Sequence, residues 1–305
     1  MNDVLCIGRM TSCDIIFTEL QELPELGKEI FCKDLVVKPG GAANTPMALA
    51  KLGIKTALLT VLGNDLFGNI IFEYIKQTGV DMSAVHKDNK YRTCVSAVLS
   101  TGRERGFVTF YDESKYSFKI EDIEQQIKNS MYIYSDIITC IELPIVEIAK
   151  KYKKNIFLDT CWNENIKLDK IKHLLEQIDT FMPNEIEACY ITDTDDVELA
   201  LQRLGQYTNT VVIKLGNKGS IAKQKYNVVR TPSIKGLKPI DTTGAGDLFN
   251  AGFIYGCLKG LNLEDSLRIA NITGGLAVTF IGGVDESFTI EQVMKYFNSS
   301  TANVL

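Results

Sequence analysis

Histidine is nearly absent, with two in 305 residues. The eight cysteines, at 6, 13, 32, 94, 140, 161, 189 and 257, include no Cys-x-x-Cys pair, so the ligand spacing of a zinc site is missing. Most of these cysteines sit in apolar stretches and read as small buried thiols of a reducing compartment. No apolar run approaches the roughly 20 residues that cross a bilayer. The segment Met1 to Gly8 has no basic region and breaks at a glycine, which is not a secretory pattern. A cytoplasmic protein with no membrane partner is expected. Positive charge is not in excess either. Thirty-three Lys and Arg against 38 Asp and Glu leave −5, which argues against a nucleic-acid partner. The run Lys150-Lys151-Tyr152-Lys153-Lys154 reads as a solvated helix face. The seven prolines are scattered, with no repeat or low-complexity tract, so one domain over 1–305 is expected.

What is present is ordinary globular composition, 45% hydrophobic and 23% charged. Apolar runs at 4–7, 56–62, 132–134, 156–159, 180–182 and 211–215 alternate with helical patterns at 45–52, 68–78, 120–129, 144–153, 168–178 and 197–207. The alternation predicts an α/β sandwich of three layers, a mostly parallel central sheet flanked by helices. Residues 13–34 and 91–111 break the rhythm with strand-like stretches that lack intervening helices. With a hairpin turn at 102–106, they predict a small antiparallel β-sheet, inserted from about 12–37 and 91–112, that forms a lid, an edge extension or a dimer contact. After residue 240 the chain reads as helices at 246–259, 263–280 and 289–297.

The strongest chemical signal is Asp241-Thr242-Thr243-Gly244-Ala245-Gly246-Asp247, followed by a helical pattern. Glycines let backbone N–H groups approach a ligand, and a helix start adds unpaired N–H groups and the positive end of its dipole. Together they make an anion site suited to a transferring phosphoryl group. Asp247, in the first helical turn, could take a proton from a hydroxyl nucleophile, or serve as a dipole partner or cap.

These residues resemble the C-terminal signature of the ribokinase-like, or phosphofructokinase B, family of sugar and nucleoside kinases. Lys38-Pro39-Gly40-Gly41-Ala42-Ala43-Asn44, running into Met47-Ala48-Leu49-Ala50-Lys51-Leu52-Gly53, is similar to its N-terminal signature. The resemblance covers nearly the whole chain. It implies a ribokinase-like sandwich with a β-lid and transfer of the γ-phosphoryl group of ATP, with Mg²⁺, to an alcohol. It implies Asp247 as catalytic base and Gly244, Ala245 and Gly246 as the anion hole.

Smaller motifs follow, each with a plainer reading beside it. Gly40 and Gly41 permit close approach to a polyol, and Asn44 binds its hydroxyls or caps the following helix. Two residues separate the glycine pair from Asn44, where many members have three. Asp14 grips vicinal hydroxyls or is a solvated turn residue, with one more residue before it than usual. Glu142, after the apolar run 137–141 read as a strand end, lies near substrate or is an acid beside a helix start at Pro144. Asn184 and Glu187 match an Asn-x-x-Glu motif that organises Mg²⁺ and the phosphates, Glu187 largely through water; a capping box is the alternative. Lys214 stands where the family has threonine, and either reaches phosphate or ends a strand in water. By the same resemblance Gly216 and Gly219 would lie against the nucleotide. Asn271 aligns with a position along the adenine or is a buried helix asparagine. The family often binds a monovalent cation beside the anion hole, and by that resemblance Asp241, Thr243 and the 280–286 loop would supply its oxygen ligands, which makes K⁺ a candidate cofactor beside the expected ATP and Mg²⁺.

The expected function is an ATP-dependent carbohydrate kinase acting on a small-molecule sugar or related alcohol. The alternatives are a nucleoside kinase, with Tyr91, Phe107 or Tyr111 stacking a base, and a catalytically silent sugar-binding regulator. Lys90, Arg92, Arg103 and Arg105 near the lid would suit a phosphorylated sugar or simply a soluble surface. An exposed lid edge invites a homodimer.

Overall fold

Burial on both faces shapes the strands. The computed structural model describes residues 1–101, 105–113, 116–161 and 163–301. In chain order its strands are β1 (Asn2–Ile7), β2 (Thr11–Thr18), β3 (Asp34–Gly41), β4 (Thr56–Gly63), β5 (Val85–Asp88), β6 (Cys94–Ser100) and β7 (Arg105–Phe110), then β8 (Ser130–Asp136), β9 (Asn155–Asp159), β10 (Thr180–Met182), β11 (Thr210–Lys214), β12 (Ser220–Gln224) and β13 (Asn227–Thr231). Nine of them form one sheet in the order β13-β12-β11-β10-β9-β8-β1-β4-β5. Pairing is parallel from β5 to β11 and antiparallel through β12 and β13.

All eight residues of β4 are buried, which is why that segment reads as an unbroken apolar run. Neighbouring residues serve opposite faces. Leu5, Leu59 and Ile133 join one core with Ile123 and Ile145 of the flanking helices. Val4, Leu58 and Val212 join the other with Met47, Leu248 and Leu267. The helices Asn44–Lys51, Ala245–Leu258 and Leu263–Ala277 cover this second face.

The small sheet has four strands in the order β3-β2-β6-β7. Two pairings are antiparallel, but β2 and β6 run parallel. One face places Cys13, Ile15, Val37 and Val95 against Leu62, Phe67 and Ile71. The alternate residues Ser12, Asp14 and Ser96 belong to the other face. Part of the expected turn, 102–104, including Arg103, lies outside the described residues.

Besides the parallel β2–β6 pair in a sheet expected to be antiparallel, three features differ from the sequence reading. Residues 137–141 are not a strand end but part of the helix Ile137–Glu142. Asp136 caps it, accepting the Thr139 N–H at 2.9 Å and the Thr139 hydroxyl at 2.5 Å, and this overrides the β-branched composition. Glu142 therefore ends a short helix. The hairpin β12–β13 and the edge strand β5 were not expected; they are short, and β13 and β5 carry mostly polar or exposed positions.

Candidate active site

Gly244 opens the helix Ala245–Leu258 with φ +75°, and a Cβ there would stand 2.7 Å from Gly283 Cα. Only glycine accepts both conditions. The amides of Gly246 and Asp247, in the first turn, have no intrahelical acceptor. The Ala245 amide donates to Thr242 O at 3.3 Å. Asp247 projects from this turn, and its Oδ2 accepts a hydrogen bond from Asn44 Nδ2 at 2.9 Å. Asn44 begins the helix that β3 runs into. Its Oδ1 is buried and has no partner among the described residues.

The Asp247 carboxyl is pushed up to about 6. Burial is the main cause and the nearby Asp159 carboxylate adds to it, while the Asn44 hydrogen bond and the Lys214 ammonium oppose both.

A polar network underlies the aspartate. Lys214 Nζ lies 2.8 Å from Asp159 Oδ1 and 3.2 Å from Asn250 Oδ1. Asn250 Nδ2 donates to Asp159 Oδ2 at 2.6 Å and to the Tyr134 hydroxyl at 3.2 Å. The Tyr134 hydroxyl also meets Asp159 Oδ2 at 3.3 Å and the Thr45 hydroxyl at 3.2 Å. Lys214 is thus not a strand end in water: its side chain is 12% exposed, and its Nζ lies 3.8 Å from where a Cβ on Gly246 would stand.

Lys214, Gly216, Gly219 and Asn271 come together around one cavity of about 410 Å³, which Thr242, Ala245 and Gly246 also line. Its apolar wall includes Ile234, Leu237, Pro239 and Phe249. The Asn271 amide group donates to Ser220 Oγ at 2.9 Å and Thr231 Oγ1 at 2.7 Å. Asn184 bridges to Lys214 but is not among the residues lining that cavity. It forms a reciprocal capping box with Glu187: Glu187 N–H donates to Asn184 Oδ1 at 2.9 Å, and Asn184 N–H to Glu187 Oε2 at 2.8 Å. Thr160 Oγ1 donates to the same Glu187 oxygen.

The other residues singled out lie toward the small sheet. Asp14 Oδ1 accepts from Ser12 Oγ at 2.7 Å, and its carboxylate lies over Gly40, where a Cβ would meet Asp14 Oδ2 at 2.1 Å. Burial raises the Asp14 pKa; hydrogen bonds from Ser12 and Ser96 oppose this, and Asp241 adds to it. Gly41, at φ +61°, lies against Met10 O. Glu142 pairs with Arg9, which follows the carboxyl end of β1. Asp241 Oδ1 accepts from Thr243 N–H at 2.6 Å and Oδ2 from Gly282 N–H at 2.9 Å. Tyr91 is buried, Phe107 and Tyr111 are exposed, and the Arg92 guanidinium stacks 4.3 Å from the Phe110 ring centre.

The sequence reading did not single out Asp159, Tyr134, Asn250 or Arg9. Asp159 was the most accessible of them, as a carboxylate ending an apolar strand on the edge where open α/β sheets place ligands.

Comparison with known proteins gives a consistent picture. The sequence profile described as pfkB family carbohydrate kinase matches residues 1–288. A ribokinase of Lactococcus lactis is 27% identical over 300 residues, 92% of each chain. A nucleoside kinase of Methanocaldococcus jannaschii is 26% identical over 295 residues, 91% of each. In fold, the chain is similar to Arabidopsis thaliana ribokinase complexed with ribose and ATP, with a TM-score of 0.84 and 24% identity over 97% of this chain and 98% of that one. It is likewise similar to fructokinase with bound ATP from Xylella fastidiosa, with a TM-score of 0.80 and 18% identity over 98% and 99%.

Proposed function

The chain belongs to the pfkB family of carbohydrate kinases, and on that premise we propose that it transfers the γ-phosphoryl group of ATP to a hydroxyl of a sugar or sugar-like alcohol. One observation carries this reading: a carboxylate with a raised pKa, held by Asn44, sits in the first turn of a glycine-opened helix whose residues line the cavity shared by Lys214, Gly216, Gly219 and Asn271.

ATP occupies that cavity, with its base against the apolar wall and its phosphates toward Gly246. Asp247 takes the proton of the acceptor hydroxyl as its oxygen attacks. The Asn44 amide fixes the receiving carboxylate. The amides at the helix start, with the helix dipole and Lys214, offset the charge on the phosphoryl group in flight. The Glu187 carboxylate fits a water-mediated hold on Mg²⁺, because one oxygen is fixed by Asn184 and Thr160 while Oε1 has no partner among the described residues. When bound, the ion would neutralise triphosphate charge. On the acceptor side, Asp14, Gly40, Gly41 and Asn44 bind hydroxyls, and the orphan Asn44 Oδ1 suits an O–H donor. The Glu142–Arg9 pair closes the cleft near the end of β1.

The small sheet acts as a lid on one catalytic unit spanning the chain. Its edge strand β7 exposes Phe107 and Val108, and we assign the homodimer contact there. Among the described residues no helix is long and apolar enough to cross a membrane, and a cytoplasmic enzyme without a nucleic-acid partner agrees with the charge.

The test is ADP release with ATP and Mg²⁺ over ribose, fructose, ketogluconate, heptose phosphate, fructose phosphate and nucleosides. Turnover with a carbohydrate is expected. Turnover with nucleosides alone would move the acceptor to that class. Ligand-stabilised melting with no ADP from any acceptor would replace the enzyme with a silent binder.

A further inference from the structure

Lys38 is a buried lysine that the reaction scheme leaves unused. Its side chain is 9% exposed, and its ammonium lies 3.1 Å from Asp285 Oδ2 and 3.3 Å from the carbonyl oxygen of Val284. A buried ammonium needs such partners, since an unpaired one is strongly penalised. What matters is where the partners stand. Val284 and Asp285 belong to the loop 280–286, which backs the proposed anion hole. Gly283 of that loop is the residue that a Cβ on Gly244 would strike at 2.7 Å. Gly282 N–H donates to Asp241 at 2.9 Å. A Cβ on Gly282 would stand 3.3 Å from Lys38 Cδ, so the lysine stem runs along the loop. On β3, Lys38 stands opposite Asp14 and two residues before Gly40.

A carboxylate and a main-chain carbonyl in one loop are donors of the kind that would hold a free monovalent cation. In this chain the Val284 carbonyl and the Asp285 carboxylate already engage a cation carried by the chain itself. A free ion added beside Lys38 would meet like-charge repulsion and find those oxygens taken. Those two loop oxygens therefore do not fit K⁺ as an added cofactor, and both Asp241 oxygens already accept N–H groups, from Thr243 and Gly282.

We infer that Lys38 is a tethered substitute for a monovalent cation: its ammonium holds the 280–286 loop against the start of the helix Ala245–Leu258, and the enzyme works without K⁺. Lys38 is a positioning residue, since it acts through Gly282 and Gly283 and not on the reacting atoms. It also straps β3, which carries Gly40 and Gly41, to that loop. The effect on turnover rests on the kinase reading; the effect on melting does not.

The experiment compares NaCl, KCl and NH₄Cl at equal ionic strength, reading ADP release and melting temperature for the wild type, Lys38→Met and Lys38→Arg. The wild-type rate should differ by less than about threefold, and its melting temperature by less than about 2 °C, among the three salts. Lys38→Met should lose about tenfold or more in kcat in NaCl, and K⁺ or NH₄⁺ should restore part of the rate and raise its melting temperature. Lys38→Arg, which keeps the charge, should stay indifferent to the salt. Wild-type activation by K⁺ of about threefold or more, or K⁺-specific wild-type stabilisation beyond about 2 °C, would overturn the inference. So would a folded Lys38→Met whose losses are equal in all three salts. If Lys38→Met does not fold, the wild-type comparison and Lys38→Arg still decide. If no acceptor is turned over, the kinase reading fails and the melting comparison alone judges Lys38.

Discussion

Asp247→Asn should lower kcat by ~10²-fold or more at pH 7, the usual scale for losing a general base, while leaving the protein more stable, not less. The second half follows from the carboxyl's surroundings. Burial and Asp159 lift its pKa from 3.8 to about 6. At about 1.4 kcal/mol per unit, that shift amounts to ~3 kcal/mol. The fold favours the protonated form, so the stabilisation is complete below the unfolded pKa and is lost as pH rises through about 6. At pH 7 it is gone, and the native protein carries a largely desolvated charge it would be more stable without. Asparagine removes the charge and still offers Asn44 an oxygen. It also gives up the attraction between a carboxylate and the helix start, worth ~0.3–1 kcal/mol. The net gain is therefore about 2–3 kcal/mol at most, or a few degrees in melting temperature. A coupled ADP assay and a melting scan on the same preparation read both numbers. A variant within tenfold of wild-type kcat would refute the base. A variant that loses activity and melts several degrees lower would refute the account of the buried charge.

Other predictions follow from the same geometry. In the wild type, kcat/KM should fall about tenfold per pH unit below an apparent pKa of about 6, because only the ionised Asp247 can accept the proton, and this limb should vanish in Asp247→Asn. Gly244→Ala forces a side chain onto φ +75° and against Gly283, and should cost ~1–3 kcal/mol by melting, with a larger loss in kcat than in affinity for ATP. Lys214→Met leaves the buried Asp159 with its hydrogen bonds from Asn250 and Tyr134 but without its cation, and should destabilise by up to ~3–5 kcal/mol; adding Asp159→Asn should recover much of the melting temperature without restoring KM for ATP. Asn184→Ala removes the cap and should cost ~1 kcal/mol while raising the Mg²⁺ concentration needed for half-maximal rate, read by magnesium titration.

Much of the architecture was legible because the physics behind it is local. Residues 56–62 read as a strand since every position is buried, and 180–182 emerges with the same bounds. The run 137–141 misled because Ile-Ile-Thr-Cys-Ile has strand composition, and only the Asp136 cap, bonded to Thr139, turns it into a helix. The β12–β13 hairpin escaped because β13, at the sheet edge, is mostly exposed and needs no apolar run. Among residues of the candidate site, the sequence singles out those in contiguous motifs and passes over Asp159, Tyr134 and Asn250. Each of these is an ordinary residue in its own segment and acquires meaning only from the others.

The spacing from Gly244 to Asp247 by itself determined a glycine-lined turn, a helix start and a carboxylate in the first turn, because backbone sterics and helix geometry act over a few residues. Folding alone decided that this carboxylate would face Asn44, 203 positions away, with Asp159 and Lys214 beneath it, and that Lys38 would reach a loop 246 positions further on. Desolvation and Coulomb forces depend on distance in space, so no stretch of sequence carries them until the sheet brings its strand ends together.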